Sequence, residues 1–306
     1  MAVTIPFVRE MRFAYGEAEP VAPVVRRVVA RNPSLFTRYG TNTYVVGRGR
    51  VAVIDPGPLL KEHQAALRRA LGGETVTHIL VTHSHLDHCE GAPALAQETG
   101  ALLAAAAPAA PAVRFPGHHH EEEVDRAFAP DALLGRGDRL AGPGWTLEAV
   151  PTPGHTSDHL CFALPEEGLL FTGDHVMGWS TSVVIPPDGD MRQYVASLRL
   201  LQARRDQTLL PAHGPAVTNP GPYLAALAAH RAEREAEILA ALAAGHRSIP
   251  DIVGVVYAAV DPRLHPAAGL SVLAHLRALA AEGRVDCNGD PTLDAEFRRQ
   301  EPHHSR

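Results

Sequence analysis

The segment Thr82-His83-Ser84-His85-Leu86-Asp87-His88 follows directly on the apolar, β-rich run Thr77-His78-Ile79-Leu80-Val81 and packs three imidazoles and one carboxylate into six residues. No regular element aims positions i, i+2, i+4 and i+5 at one point: a strand puts i, i+2 and i+4 on one face, a helix i and i+4. A strand that turns through a tight loop into a helix N-terminus does. That path directs His83 and His85 at one ion and Asp87 with His88 at a second. Nitrogen and oxygen donors of this kind suit Zn²⁺, and a catalytic zinc takes about three protein ligands plus an open position for water. By contrast, His118-His119-His120-Glu121-Glu122-Glu123 has no apolar strand leading into it and reads as a solvated loop.

A two-ion site needs donors from separate loops on a rigid scaffold, and three candidates follow in order. His155 lies in Pro151-Thr152-Pro153-Gly154-His155-Thr156, after the apolar run Trp145–Val150. Asp174 ends Leu169-Leu170-Phe171-Thr172-Gly173-Asp174, and His213 ends Leu209-Leu210-Pro211-Ala212-His213-Gly214. Each is a short strand, a Gly or Pro turn and a residue able to bind metal.

In this order the motifs resemble the metallo-β-lactamase superfamily of hydrolases, with Val51-Ala52-Val53-Ile54-Asp55-Pro56-Gly57 matching its strand ending in an Asp-x-Gly turn. The resemblance covers about residues 30–220. It implies that His83, His85 and His155 hold one zinc, that Asp87, His88 and His213 hold the other, and that Asp174 bridges them. It also implies that Asp55 orients a ligand imidazole through its free N–H. Two Zn²⁺ ions about 3.5–4 Å apart share a water and present hydroxide near pH 7, so the implied reaction is metal-assisted hydrolysis with Asp87 as the catalytic residue that accepts or orients the proton. Iron or manganese would suit the same donors. No G-x-S-x-G elbow signals a covalent nucleophile.

Within the superfamily, Asn32-Pro33-Ser34-Leu35-Phe36-Thr37, Gly40-Thr41-Asn42-Thr43-Tyr44, Thr156-Ser157-Asp158-His159 and Phe171–Gly178 look like the beta-lactamase-like protein 2 group, as does a C-terminal helical domain containing Leu273-Ala274-His275-Leu276. That likeness implies a phosphodiesterase similar to single-strand-specific endoribonucleases. The alternative is a thioester or ester hydrolase similar to glyoxalase II or to lactonases. Against it, His175-Val176-Met177-Gly178-Trp179-Ser180 replaces the Gly-Cys-Gly-Arg run of glyoxalase II, and Met177 stands where some lactonases place a tyrosine. The expected substrates are therefore a small-molecule ester or thioester, or single-stranded RNA, with a homodimer left open.

Composition excludes other classes. A 306-residue chain with 45% hydrophobic and 20% charged residues can bury a full core and still form a second small domain. A net charge of −6 gives no overall basic field for nucleic acid or anionic membrane. No apolar stretch reaches the roughly 18–20 residues that span a bilayer, and Met1–Phe7 lacks the pattern of a secretory signal. The three cysteines, Cys89, Cys161 and Cys287, imply no disulfide framework, so a cytoplasmic location is expected. Cys89 and Cys161 read as packing residues.

The expected architecture is α/β, the αββα sandwich of the resembled superfamily. Paired strands are predicted at 24–55, helices at 59–71, 90–99 and 190–204, and strands at 77–82, 101–106, 145–150, 160–164, 168–172 and 207–211. Residues 1–220 form the expected catalytic domain. Residues 221–306 form a helical, winged-helix-like domain, with Pro220-Gly221-Pro222 as a break, helices at about 223–244, 249–259 and 270–282, and a short strand after Gly283. Nine arginines face eleven acidic residues there, so a duplex-DNA regulator is disfavoured and a cap shaping the substrate channel is expected. His78, His159 and His175 read as buried supports or core residues, and His63, His230, His246, His265 and His275 as surface or interface residues. Trp179, Ser180, Ser182 and Tyr194 either line the substrate groove or pack the 190–204 helix.

Overall fold

The computed structural model describes residues 3–107, 123–125 and 127–300. The His118–Glu122 run lies outside them. Two sheets face each other. The first has seven strands in chain order: β1 (Ala18–Ala22), β2 (Val25–Val29), β3 (Asn42–Val46), β4 (Arg50–Ile54), β5 (Thr75–Leu80), β6 (Leu102–Ala105) and β7 (Ala132–Leu133). The second has five, with β8 (Arg139–Gly142), β9 (Trp145–Pro151), β10 (Leu160–Leu164), β11 (Leu169–Gly173) and β12 (Thr208–Pro211) running from one edge to the other. Most pairings are antiparallel, while β4–β5–β6–β7 and β11–β12 are parallel.

Both sheets are sandwiched, which is why their strands are apolar on both faces. Tyr44, Val46, Ile54 and Leu80 of the first sheet meet Trp145, Phe162, Phe171 and Leu210 of the second in one buried core. The alternate residues Val45, Val53 and Ile79 face outward under helices α1 (Lys61–Ala70) and α3 (Ala92–Thr99), where Leu67 and Leu95 cover them. On the far side Cys161, Ala163 and Leu170 pack beneath α4 (Met191–Gln202) and α5 (Pro220–Ala243), through Tyr194, Leu198, Tyr223 and Leu227. The layers are helix, sheet, sheet, helix, as the resemblance implied. A four-residue helix, α2 (Leu86–Cys89), lies between β5 and α3.

The C-terminal part comprises α5, α6 (Ile249–Val256), α7 (His265–Ala281) and a hairpin of β13 (Val285–Cys287) with β14 (Phe297–Arg299). Ser248 caps α6 by accepting the Asp251 N–H. Helix α5 belongs to two cores: Tyr223, Leu224 and Leu227 pack on the second sheet, whereas Ile238, Ala241 and Leu242 join Ile252, Val272, Leu276 and Phe297 in a separate cluster.

Several expectations change. Pro220 starts α5 instead of breaking the chain, because a proline in the first turn gives up only an N–H that has no helical partner. Helix α7 begins five residues earlier than predicted, with Pro266 tolerated for the same reason. Strands β1, β7 and β8 were not anticipated; they are edge or near-edge strands whose half-exposed residues carry little apolar signal. His63 and His275 are not surface residues but are 3% and 1% exposed. Tyr194 is buried and packs between the 190s helix and the second sheet, whereas Ser182, although buried, borders the groove. Cys89 and Cys161 are fully buried core residues, as read from the sequence.

Candidate metal centre

All seven predicted donors converge at one edge of the sandwich, each at the end of its strand. His83 lies in the loop after β5, His85 is the cap residue before α2, and Asp87 with His88 sits on α2. His155 follows β9, Asp174 follows β11 directly, and His213 lies two residues beyond β12. Glycine makes two of these turns possible. At Gly154 (φ 141°) an added Cβ would lie 2.3 Å from the Tyr194 backbone, and at Gly173 (φ 48°) 2.5 Å from His159 Nε2.

Three groups of donor atoms lie within 4.8 Å of one another: His83, His85 and His155; His83, His88 and Asp174; and Asp87, His88 and His213. In the first group His83 Nε2 is 2.9 Å and His155 Nε2 3.2 Å from His85 Nδ1. In the last, His88 Nε2 is 3.3 Å from Asp87 Oδ1 and His213 Nε2 3.3 Å from Asp87 Oδ2. Asp174 lies between the groups, with Oδ1 3.6 Å from His88 Nε2 and Oδ2 3.3 Å from His213 and 3.8 Å from His155. Donors about 2.0–2.1 Å from a tetrahedral zinc stand about 3.3 Å apart, so these separations suit one cation in the first group and one in the last. His88 Nε2 and Asp174 Oδ1 are buried with no hydrogen-bond partner among the described residues, as expected of atoms aimed at an ion. The cluster is able to bind a dinuclear metal centre.

Supporting contacts fix each donor. Asp55 takes up a left-handed backbone (φ 48°), tolerated by aspartate. Its carboxylate accepts the Thr82 N–H and hydroxyl at 2.7 and 2.8 Å and approaches His88 Nδ1 at 2.9 Å. His155 Nδ1 donates to the Val183 carbonyl at 2.6 Å, and His213 Nδ1 to that of Gly40 at 3.2 Å, which leaves both Nε2 atoms as acceptors. Sequence reasoning missed the Thr41 hydroxyl, which donates to Asp87 Oδ2 at 2.8 Å and is itself held by Asn32. It also left open His159, whose Nε2 accepts the Asp174 N–H at 3.1 Å, and Asp158, which accepts the Ser84 N–H at 3.1 Å and so pins the motif loop. Only a polar residue beside a known motif signalled these roles.

Electrostatics follow from burial and crowding. Burial, reinforced by the neighbouring imidazoles of His88, His85 and His155, holds His83 well below the usual histidine range and keeps its Nε2 lone pair free. Burial also opposes charge on His88, but the carboxylates of Asp87, Asp174 and Asp55 outweigh it and lift that imidazole to about 10. Burial would raise Asp174, yet His213, His88 and His155 hold it well below the ordinary carboxylate range. Without a cation, protons occupy part of the cluster, and any metal must displace them.

An apolar groove opens beside the donors. A space of about 20 Å³, room for roughly one water, is bounded by His85, Asp87, His155, Asp174 and His213 together with Phe36, Met177 and Val183. The last three residues also line a groove of about 570 Å³ that runs past Phe7, Trp179, α5 and α7. Trp179 and Ser180 thus belong to the groove.

The layered fold and the paired donor groups define a metal-dependent hydrolase scaffold. Residues 36–213 match the Metallo-beta-lactamase superfamily and residues 248–294 the Beta-lactamase associated winged helix domain, and the chain belongs to that superfamily. It is 33% identical over 278 residues to the Atrochrysone carboxyl ACP thioesterase of Pseudocercospora fijiensis, covering 87% of this chain and 78% of that one. It is 34% identical over 235 residues to Lactamase-like protein notP of Aspergillus sp. (strain MF297-2), covering 74% of this chain and 66% of that one. A solved Beta-lactamase domain protein from Burkholderia ambifaria shares the fold, with a TM-score of 0.77, 22% identity and 97% of each chain covered. No helix among the described residues is long and apolar enough to cross a membrane.

Proposed function

We propose that this chain is a thioester hydrolase working at a dinuclear metal centre, with His83, His85 and His155 holding one ion, Asp87, His88 and His213 the other, and Asp174 shared. The observation that carries this reading is the 33% identity over 278 residues to a protein named as a thioesterase. The apolar groove continuous with the donor cluster supports it, since an acyl chain needs such a surface to deliver its carbonyl to the donors. The phosphodiester reading, and with it single-stranded RNA as substrate, has no comparable support among the relatives, and the kinship with the beta-lactamase-like protein 2 group rests on the short motifs alone.

When bound, the metal pair supplies Lewis acidity and a water-derived nucleophile at neutral pH. The chain supplies the rest. Phe36, Met177 and Val183 exclude bulk water where the groove meets the donors. Asp87, fixed through Oδ2 by Thr41, borders the small space beside the donors and would accept the proton of the attacking water there. Addition of water to the thioester carbonyl and loss of the C–S bond give a carboxylate and a thiol, the proton passing through Asp87 to the departing sulfur. The chain's own thiols take no part: burial raises Cys89 and pushes Cys161 up to about 12, and both face the core.

We further propose residues 1–220 as the catalytic domain, residues 221–306 as the helical domain, zinc as the native metal with iron or manganese as substitutes, and a cytoplasmic setting, which three unpaired cysteines favour. The test is incubation of metal-analysed protein with acyl thioesters and, separately, with labelled single-stranded RNA. Thioester turnover lost on chelation and in Asp87→Ala supports the proposal. RNA cleavage with thioesters left intact overturns it.

A further inference from the structure

The groove that leads away from the donors has an unusual electrostatic make-up for a protein with a net charge of −6. Among the described residues its lining includes Arg9, Arg231, Arg234 and His230 and no aspartate or glutamate. Arg231 is the telling residue. It is 5% exposed, its guanidinium lies over the Tyr194 ring at 5.1 Å, and it donates to the Ser182 carbonyl. Among the described residues no carboxylate lies within ion-pair distance of it. Glu233, the acid on the same stretch of α5, is turned to the Val3 N–H at 3.1 Å.

A buried guanidinium without a counter-ion is strongly disfavoured, and proteins almost always pair one or neutralise it through a ligand. Arg234 reinforces the charge: it lies over Tyr257 at 4.4 Å, and its one ion pair among the described residues is with the half-exposed Glu237. His230 Nδ1 is a further buried polar atom with no hydrogen-bond partner among the described residues. Arg231 is also tied to the reacting end of the groove, because Ser182, which it holds, precedes the Val183 whose carbonyl orients His155. A guanidinium presented across an apolar wall suits a carboxylate or phosphate bound through paired hydrogen bonds.

Resting on the thioesterase reading, we propose that the groove selects thioesters bearing an anionic group remote from the reacting carbonyl, with Arg231 as the anion-binding residue and Arg234 and Arg9 beside it. The anion can sit on the acyl chain as a carboxylate or on the thiol side as a phosphate, and both present the same chemistry to Arg231.

The experiment compares three substrates of the metal-loaded enzyme: a neutral medium-chain acyl thioester of N-acetylcysteamine, the same chain ending in a carboxylate, and the neutral chain on phosphopantetheine. One of the anionic substrates is expected to exceed the neutral one in kcat/KM by about tenfold or more, the effect falling mainly on KM, as for a charge-assisted contact. Which one does so tells where the anion lies. In Arg231→Met the preference should collapse towards one, and in Arg231→Lys it should be partly kept. Should Arg231→Met fail to fold by thermal unfolding, the Arg9→Gln/Arg234→Gln double variant takes its place, with the preference ratio again expected to fall. Equal turnover of all three substrates by the unaltered enzyme overturns the inference and leaves the thioesterase reading standing. Turnover of none of them removes both.

Discussion

The donor cluster and the groove beside it are continuous in space, yet they are assembled in opposite ways. The donors come from four strand ends, and each is a residue type chosen by chemistry: six of the seven are at most 8% exposed and held by a specific partner. The groove is made from the N-terminal segment, the loop after Asp174 and the C-terminal helices, largely from ordinary apolar residues. The first region fixes what reaction is possible, and the second decides which molecule undergoes it. Substitutions that separate those two properties test the division.

Loss of a shared donor should have the largest effect. Asp174→Ala removes the carboxylate lying between both donor groups and leaves His88 and His213 with Asp87 as the one carboxylate of the cluster beside both. Activity should fall by well over the roughly 100-fold that marks loss of an outer partner, and elemental analysis should find less metal per chain. Full metal content with intact turnover in this variant would break the assignment of the cluster.

Truncation in the C-terminal core should come next and act on the other region. Leu276 is fully buried among Ile238, Ile252, Val272 and Phe297, so Leu276→Ala should destabilise that cluster by about 2–5 kcal/mol. Denaturant unfolding measures the loss, while metal content should stay at the level of the unaltered chain. A parallel drop in metal content would show that the two regions are not independent. The coupling would run through α5, whose first turns pack on the second sheet and whose last turns pack in this cluster.

Asp55→Asn probes a partner one step behind the donors. Asparagine can keep the left-handed backbone and accept from Thr82, but it puts no negative charge beside His88 Nδ1. Metal affinity should weaken by about 10–100-fold, read by competition with a chelator. An unchanged affinity would mean that Asp55 serves the turn and not the imidazole.

The same contrast explains what could be read from the sequence. His83, His85, Asp87, His88, His155, Asp174 and His213 stand out because few residue types bind metal and each follows a β-rich run and a turn. The layered fold was legible for a related reason: strands buried on both faces, such as Leu160–Leu164, are apolar throughout. Arg231 gave no such signal. On a helix rich in Ala, Arg and Glu it resembles its solvated neighbours, and only the packing of α5 against the Ser182 segment buries it. The roles of Thr41 and Asn32 gave no signal either, since Thr41 meets Asp87 across 46 positions of chain and Asn32 acts only by holding Thr41. His63 and His275 were misread because one histidine in an amphipathic helix carries no mark of the face it occupies.

Those two buried histidines provide the smallest effect, one that distinguishes the regions by pH. Burial lowers His275 to about 3, helped by the nearby charges of Arg231, Arg234 and His230, and lowers His63 to about 4. Both are neutral in the folded chain and take up protons more readily when it unfolds, where the ordinary value is about 6.5. Acidification below about 6.5 therefore favours the unfolded chain, and the stability that each neutral ring preserves at higher pH is lost progressively as pH falls towards the folded value. For His275 the loss is about 1 kcal/mol between pH 6.5 and 5.5. In His275→Phe that share of the pH dependence should disappear, whatever the packing change does to absolute stability, and the slope of unfolding free energy against pH should flatten relative to the unaltered chain at equal metal load. His63→Phe should flatten the slope over the same upper part of the range, through α1 and the first sheet, and leave the C-terminal helices untouched. An unaltered slope in His275→Phe would mean that this ring is hydrated and protonates freely in the folded state, which would place solvent inside the helical cluster behind Arg231.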